Sequence, residues 1–442
     1  MAYRNFDPAS LSRRSLLRGG GYFAAGSALA SFPLSLPVAA HDVDEAWPAV
    51  AKLANSYVSA GKLPNLMMTF GWGDDKHAHK VGGGTLAFDS TTPVDEHSLY
   101  RIYSMTKPIT GMAAMMLIDE GRMGLDTPLQ EILPAFRDMM VQVEYDGAIT
   151  ADNLEPAKTP MTIRQLLTHT AGLGYGIVQS GPIKEAYETQ GLIPGQVTKL
   201  PIPGISRAEA VGSLEAFADG LAELPLVLQP GTKWSYSVGL DLMGRVIEVV
   251  EGKPFDTVLQ ERFFDPMGME STFFTVPKSE VKRLTDNYGV LDGTPLPIDP
   301  AVMSVYLDPP AFPFGGAGLV SSPADYDKFL NMVLNYGMFD GKRIMSEEAV
   351  RTGTSNLLPA GATTDGTWVA GQQFGAGGRV VGQQYGWGGA AGTLGAVDFG
   401  LKLRSALWTQ YMPSEAYPIR DEFVAALASD LSAMREAMAK QG

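Results

Sequence analysis

The chain has 442 residues, 45% of them apolar, with a formal net charge of −14 and no cysteine. The missing thiols exclude disulfides, thiolate catalysis and Cys-ligated zinc. The acidic balance, without a Lys/Arg cluster, argues against a nucleic-acid partner, which needs a basic face.

The length predicts two or three structural units, and the apolar content suffices for a large core. At the N-terminus, Ser12-Arg13-Arg14-Ser15-Leu16-Leu17-Arg18 reads as a twin-arginine export signature. A Gly/Ala-rich stretch to Ala40 follows, ending in the small residues Val38-Ala39-Ala40. Export with cleavage before His41 is the expectation, with a periplasmic product in a two-membrane host; an uncleaved membrane anchor is the alternative reading. Residues 1–40 carry four bases and one acid, so the remainder would hold a net −17. No later apolar run is long enough to span a bilayer.

Residues 44–59 read as an amphipathic helix, with Val50, Leu53, Ala54 and Val58 on one face. Strands are expected over 66–72 and 80–88, around an Asp-rich loop. A short extended lead-in over 99–103 is followed by an apolar helix over 112–120, closed by Gly121. Further helices are expected over 162–168, 241–250 and 324–336, the last capped by Ser322 or opened by Pro323. Two Pro/Gly-rich stretches, 181–205 and 291–318, read as long loops of the kind that form lids or pocket walls. Strands over 379–387, 394–402 and 404–412 have the spacing of consecutive antiparallel partners. A final helix from Ile419 to about Lys440 carries Phe423, Leu427, Leu431, Met434 and Met438 at helical spacing. The expected architecture is α+β, with an antiparallel sheet flanked by terminal helices and a largely helical second region. In chain terms, 41–110 and 371–442 form the sheet region and 111–370 the helical region.

Ser104-Met105-Thr106-Lys107 fits the pattern Ser-x-x-Lys. A serine hydroxyl alone is a poor nucleophile. A lysine three residues on lies on the same helical face and, when neutral, accepts the hydroxyl proton. The pattern occurs three times, at Ser59/Lys62, Ser104/Lys107 and Ser279/Lys282. Gly61 interrupts the first, and the third lies in a charged, solvated segment. Only Ser104 stands between an apolar lead-in and a long apolar helix, which buries Lys107. Pro108 is tolerable in a first turn.

Two further elements could serve this pair. Pro230-Gly231-Thr232-Lys233-Trp234-Ser235-Tyr236-Ser237 brings a tyrosine to a loop-to-helix junction, where it can relay protons. Trp387-Gly388-Gly389-Ala390-Ala391-Gly392-Thr393 ends a strand with glycines that admit close backbone approach. Its N–H groups, with that of Ser104, could form an oxyanion hole.

Together, in this order, the three elements resemble the serine beta-lactamase and penicillin-binding-protein superfamily. More closely they are similar to its class C beta-lactamase-like carboxylesterases (family VIII). Ser104 to Thr110, Leu166 to Leu173 and Gly315 to Ser321 carry the resemblance as well. It implies Ser104 as acylated nucleophile, Lys107 and Tyr236 as base and proton relay, and the N–H groups of Ser104 and Ala390 as oxyanion hole. It makes His169 structural, a hydrogen-bonded core histidine.

Penicillin-recognising members carry Tyr-x-Asn, and here the third position is Val238. They carry Lys-Thr-Gly on the closing strand, where this chain has Trp387-Gly388-Gly389. A pocket lined by Trp387, Gly388, Gly389 and Val238 lacks the polar groups that hold a beta-lactam, and favours neutral short-chain esters. The expected activity is a cofactor-free carboxylic ester hydrolase acting on a small-molecule substrate. A beta-lactamase or D-amino-acid peptidase with the same mechanism is the alternative, and a non-catalytic binding protein the remote one. No Gly-x-Ser-x-Gly elbow and no phosphate loop is present. His77 and His79, beside Asp74 and Asp75, fall in an exposed loop, and no metal is expected there.

Overall fold

The computed structural model describes residues 46–202 and 209–439. The expected export signal, residues 1–40, lies outside the described residues. We label the elements that position the site as follows. Helix α1 (Pro48–Ser59) precedes strands β1 (Asn65–Trp72), β2 (His79–Gly84) and β3 (Tyr100–Arg101). Then come α2 (Thr106–Asp119), α3 (Gly239–Glu251), β4 (Val320–Ser321) and α4 (Pro323–Leu334). The chain closes with β5 (Gln373–Phe374), β6 (Arg379–Val381), β7 (Gln384–Gly388), β8 (Leu394–Asp398), β9 (Leu403–Trp408) and α5 (Ile419–Ala439).

Seven strands form one sheet in the order β5-β6-β7-β8-β9-β1-β2, antiparallel throughout. The N-terminal strands therefore complete a sheet begun by the C-terminal ones. β1 is buried along its whole length, because helices cover both faces of the sheet. Alternate side chains part to opposite faces. Leu66, Met68 and Phe70 meet α1 and α5, while Met67 joins the main core with Ala406 and Trp408 of β9.

The terminal helices are fastened to one another as well as to the sheet. Trp47 stacks on Phe70 with ring centroids 4.3 Å apart, and Phe423 of α5 lies 5.9 Å from the same ring. The buried carboxylate of Asp430 in α5 accepts from the N–H groups of Ala49 and Val50 at 3.0 Å. These N–H groups open α1 and have no partner within the helix, so a negative group there satisfies them and complements the helix dipole.

On the other face, Tyr326 of α4 packs against Trp408 and donates its hydroxyl to the carbonyl of Met105 at 2.9 Å. That bond ties α4 to the turn carrying Ser104. α2 is buried over nearly its full length at the centre of the main core. Among the described residues no helix is long and apolar enough to cross a membrane.

Several local expectations change. The single strand expected over 379–387 is two, β6 and β7, joined by a two-residue turn with Gly382 at φ +58°. The stretch 181–205 is not structureless. It contains a helix, Pro182–Thr189, with Pro182 at its first position and Ile183 and Tyr187 buried. Within 291–318, Thr294–Asp299 pairs with Asn287–Leu291 as a hairpin. Both Ser322 and Pro323 act at the start of α4, the serine accepting from Asp325 N–H at 3.2 Å.

Candidate active site

Ser104 sits in a short 3-10 turn, Tyr103–Met105, between β3 and α2. Tyr103 adopts φ +42°, a region that costs an L-residue about 1–2 kcal/mol. The surroundings hold it there. The Tyr103 hydroxyl accepts from Asn287 Nδ2 at 3.2 Å, and its ring meets Tyr306 edge-on. The strained residue turns the chain sharply, so that the next side chain, Ser104, is left partly exposed while its neighbours are buried.

Lys107 lies in the first turn of α2 with no exposed surface. Its amine donates to Ser104 Oγ at 3.2 Å and to the Gly316 carbonyl at 2.6 Å. Pro108 follows within the same first turn, where its missing N–H removes no helical bond.

Tyr236 arrives from the loop before α3. Its hydroxyl is 2.8 Å from Ser104 Oγ and accepts from Trp387 Nε1 at 3.3 Å. The Lys107 amine also stands 4.7 Å from the Tyr236 ring centroid, within cation–π range. Ser104, Lys107, Tyr236 and Trp387 are thus one connected group, drawn from three parts of the chain.

The Tyr236 ring is packed among His169, Trp368, Tyr175 and Trp387, at centroid separations of 4.8, 4.9, 5.5 and 5.8 Å. His169 follows the helix Ile163–Leu167, which opens with a reciprocal capping box between Thr162 and Gln165. It too has positive φ, +56°. Its Nδ1 accepts from Ser237 N–H at 3.2 Å and lies 2.9 Å from Ser237 Oγ. That pairing assigns the ring proton to Nε2. Burial, and then the nearby Lys107 charge, hold the imidazole well below its ordinary range, so it is neutral.

β7 ends at Gly388 beside the turn carrying Ser104. A Cβ on Gly389 would lie 2.3 Å from the Ile102 carbonyl, so only glycine lets this turn rest on the segment entering Ser104. Arg420, in the first turn of α5, donates through Nη2 to the carbonyls of Gly389 and Thr393. Ala390 is partly exposed at the tip of the turn.

Val238 is placed differently from the expectation. It has no exposed surface and caps the start of α3 from within the core, so it backs the site instead of lining it. Trp387, Gly388 and Gly389 do border it, with Trp387 and Gly388 partly exposed. The other two Ser-x-x-Lys matches lie elsewhere: the Ser59 hydroxyl bonds the Asn55 carbonyl, and Ser279 lies in a surface 3-10 helix. His79 opens β2 against Trp72, and no three His, Asp or Glu side chains gather as a metal would require among the described residues.

Sequence reasoning missed Trp368, Asp241, Arg420 and the Gly316 carbonyl. Asp241 stands fully buried in the first turn of α3, where its Oδ1 accepts from Gly316 N–H at 2.8 Å. A charged residue five positions after Tyr236, inside an otherwise apolar helix face, was the available signal.

The family model named Beta-lactamase matches residues 66–429. Protein Rv1367c of Mycobacterium tuberculosis is 34% identical over 284 residues, 64% of this chain and 66% of that protein. Esterase EstB of Burkholderia gladioli is 30% identical over 254 residues, 54% of this chain and 58% of that esterase. The chain thus matches between about half and two thirds of the length of these relatives. Among solved structures, EstCE1, described as a hydrolase with promiscuous acyltransferase activity, has a TM-score of 0.69 at 23% identity, over 87% of this chain and 99% of that one. Simvastatin synthase (LovD) from Aspergillus terreus reaches 0.71 at 20% identity, over 88% and 99%. At such identities these two neighbours speak for the fold alone. The family match spans most of the described chain and includes the Ser104, Tyr236 and Trp387 elements, and the chain belongs to the Beta-lactamase family.

Proposed function

We propose that the protein is a serine hydrolase that cleaves short-chain carboxylic esters through an acyl-enzyme on Ser104. The observation that carries this reading is the placement of Ser104 Oγ within hydrogen-bond reach of both the Lys107 amine and the Tyr236 hydroxyl. The Lys107/Tyr236 pair takes the hydroxyl proton as Oγ attacks the ester carbonyl carbon. The oxyanion rests on the N–H groups of Ser104 and Ala390, and one such donor contributes about 3–4 kcal/mol. Collapse breaks the bond to the alkoxy oxygen, and the alcohol leaves with a proton from the same pair. Water then attacks the acyl carbon and gives its proton to that pair; the bond to Ser104 Oγ breaks, Oγ takes the proton back, and the acid is released.

The preference for small neutral esters rests on Trp387. This residue occupies the closing strand where penicillin-recognising relatives hold a lysine, and it donates to Tyr236 instead of presenting a cation. With Trp368 and Tyr175 it makes the surroundings of Ser104 aromatic. Such walls favour apolar groups and give a carboxylate no partner. The test compares p-nitrophenyl acetate and butyrate with a chromogenic cephalosporin. Higher kcat/KM on the esters is expected, and faster cephalosporin turnover overturns the ester reading.

A second reading is acyl transfer to an alcohol in place of water. Its support is the naming of several relatives as acyltransferases, among them Acyltransferase calJ of Penicillium decumbens, 30% identical over 195 residues. Formation of butyl butyrate when butanol is added to the ester assay would favour it.

A further inference from the structure

Lys107 has a long, flexible side chain, and its use as a base requires the amine to stay between Ser104 and Tyr236. Of its two oxygen partners the Gly316 carbonyl is the closer, at 2.6 Å against 3.2 Å for Ser104 Oγ. The position of the amine therefore depends on what holds Gly316.

The segment 315–319 crosses the first turn of α2 as a strap. Thr110 Oγ1 donates to the Gly315 carbonyl at 2.7 Å, and Leu319 N–H donates to Thr106 Oγ1 at 3.2 Å. These bonds fix the strap on either side of Gly316. Among the described residues the N–H of Gly316 is held by Asp241, whose Oδ1 accepts it at 2.8 Å. The fit is close: a Cβ on residue 316 would lie 2.4 Å from Asp241 Oδ2.

Asp241 has no exposed surface, and its Oδ2 has no hydrogen-bond partner among the described residues. No ion pair within 4 Å joins it to Lys107 among those residues. A buried carboxylate with one oxygen left without a partner is costly. An apolar residue would serve packing better, so the carboxylate at this place calls for a role. Asp241 also lies five residues after Tyr236, at the start of the helix that Tyr236 leads into. The path Asp241, Gly316, Lys107 therefore links the element carrying the tyrosine to the element carrying Ser104 and the lysine.

We infer that Asp241 is a positioning residue for Lys107, acting through the main chain of Gly316 to hold the amine between Ser104 and Tyr236. This rests on the proposed role of Ser104 as nucleophile. Burial pushes the Asp241 carboxyl up to about 6 against the favourable pull of Lys107, which agrees with a group kept in place at some cost.

The test uses two shape-matched variants. Asp241→Asn keeps an oxygen that accepts from Gly316 N–H, and Asp241→Leu removes it. The readouts are kcat and KM for p-nitrophenyl butyrate and the rate at which a fluorophosphonate modifies Ser104. Asp241→Leu should lose about 10- to 100-fold in kcat and in labelling rate, with KM within about threefold, as expected for a displaced reacting group. Asp241→Asn should stay within about fivefold of the unmodified protein. In a Lys107→Ala background, Asp241→Leu should change the residual labelling rate by less than about twofold, because the effect it would remove is already gone.

Equal losses in folded Asn and Leu variants, or no loss in either, overturns the inference. So does a further tenfold loss in the Lys107→Ala background, which marks general damage. Asp241→Ala takes the place of the leucine variant if that one does not fold. The labelling rate keeps this test separate from the ester reading. A protein that labels at Ser104 but turns over no ester sinks the ester proposal, while the ratio between variants still decides the role of Asp241.

Discussion

The Tyr236 hydroxyl lies 2.8 Å from Ser104 Oγ, across 132 residues of chain. Nothing in the hydrophobic packing requires the phenolic oxygen, since the ring is already enclosed by His169, Trp368 and Trp387. Tyr236→Phe keeps those contacts and removes only the oxygen. A fall of about 10²- to 10⁴-fold in kcat is expected, with little change in KM and a near-unchanged thermal midpoint. Steady-state kinetics beside a thermal melt measures both.

Trp387 stands beside this pair, its Nε1 3.3 Å from the Tyr236 hydroxyl. It packs edge-on to Phe374 at 5.3 Å and borders the opening beside Gly388. Trp387→Ala removes that wall, and room for several methylenes opens. The ratio of kcat/KM for p-nitrophenyl octanoate over butyrate should rise by about tenfold or more. An unchanged ratio would place the acyl chain elsewhere.

Arg420 reaches from α5 to the carbonyls of Gly389 and Thr393, the two ends of the turn that presents Ala390. It stands outside the reacting group and, in the proposed mechanism, acts through the turn on the oxyanion donor, the N–H of Ala390. Arg420→Ala should lower kcat by about tenfold, a fraction of what losing the donor itself would cost. Arg420→Lys, which can still reach one carbonyl, should recover part of that loss. Identical kinetics in all three proteins would show that the turn holds itself.

Two of the buried ionisable groups near Lys107 drive stability in opposite directions with pH. His169 is held below its unfolded value. Its contribution is complete above about pH 6.5 and declines as pH falls, because the unfolded chain then takes up a proton that the folded one refuses. Asp241 is raised from 3.8 to about 6. Its contribution is complete below about pH 4 and is lost as pH rises through 6, because the folded chain holds the proton longer. Asp241→Asn should therefore stabilise the protein more at pH 7.5 than at pH 4, by up to about 3 kcal/mol for a shift of this size. His169→Phe should reduce the loss of stability between pH 7 and pH 5. Denaturant melts of each variant across this range check both signs.

The meeting of Ser104, Lys107, Tyr236 and the Trp387 strand was legible because each is written in a short segment. Ser104 and Lys107 need only helical spacing, and Trp387-Gly388-Gly389 needs only a strand ending in glycines. The strand over 66–72 was equally plain, as the largely apolar run from Leu66 to Phe70. What escaped is long-range or conformational. The positive φ at Tyr103 comes from its anchoring by Asn287 and Tyr306, which no local pattern reveals. The bond from Lys107 to Gly316 spans 209 residues and uses a carbonyl, which carries no sequence signature. Val238 was read as a pocket residue from its place in a motif, yet the helix it caps turns it into the core. The turn at Gly382 did leave a signal, a glycine inside the strand expected over 379–387.

The central claim is an acyl-enzyme on Ser104, and it is tested most directly by trapping that species. Rapid acid quench of the protein with p-nitrophenyl butyrate, followed by digestion and mass spectrometry, should find one butyryl group on the peptide containing Ser104. The Ser104→Ala variant should carry no adduct and show no burst of p-nitrophenol. Full turnover by Ser104→Ala, or a butyryl group on another residue while Ser104 stays unmodified, would contradict the account.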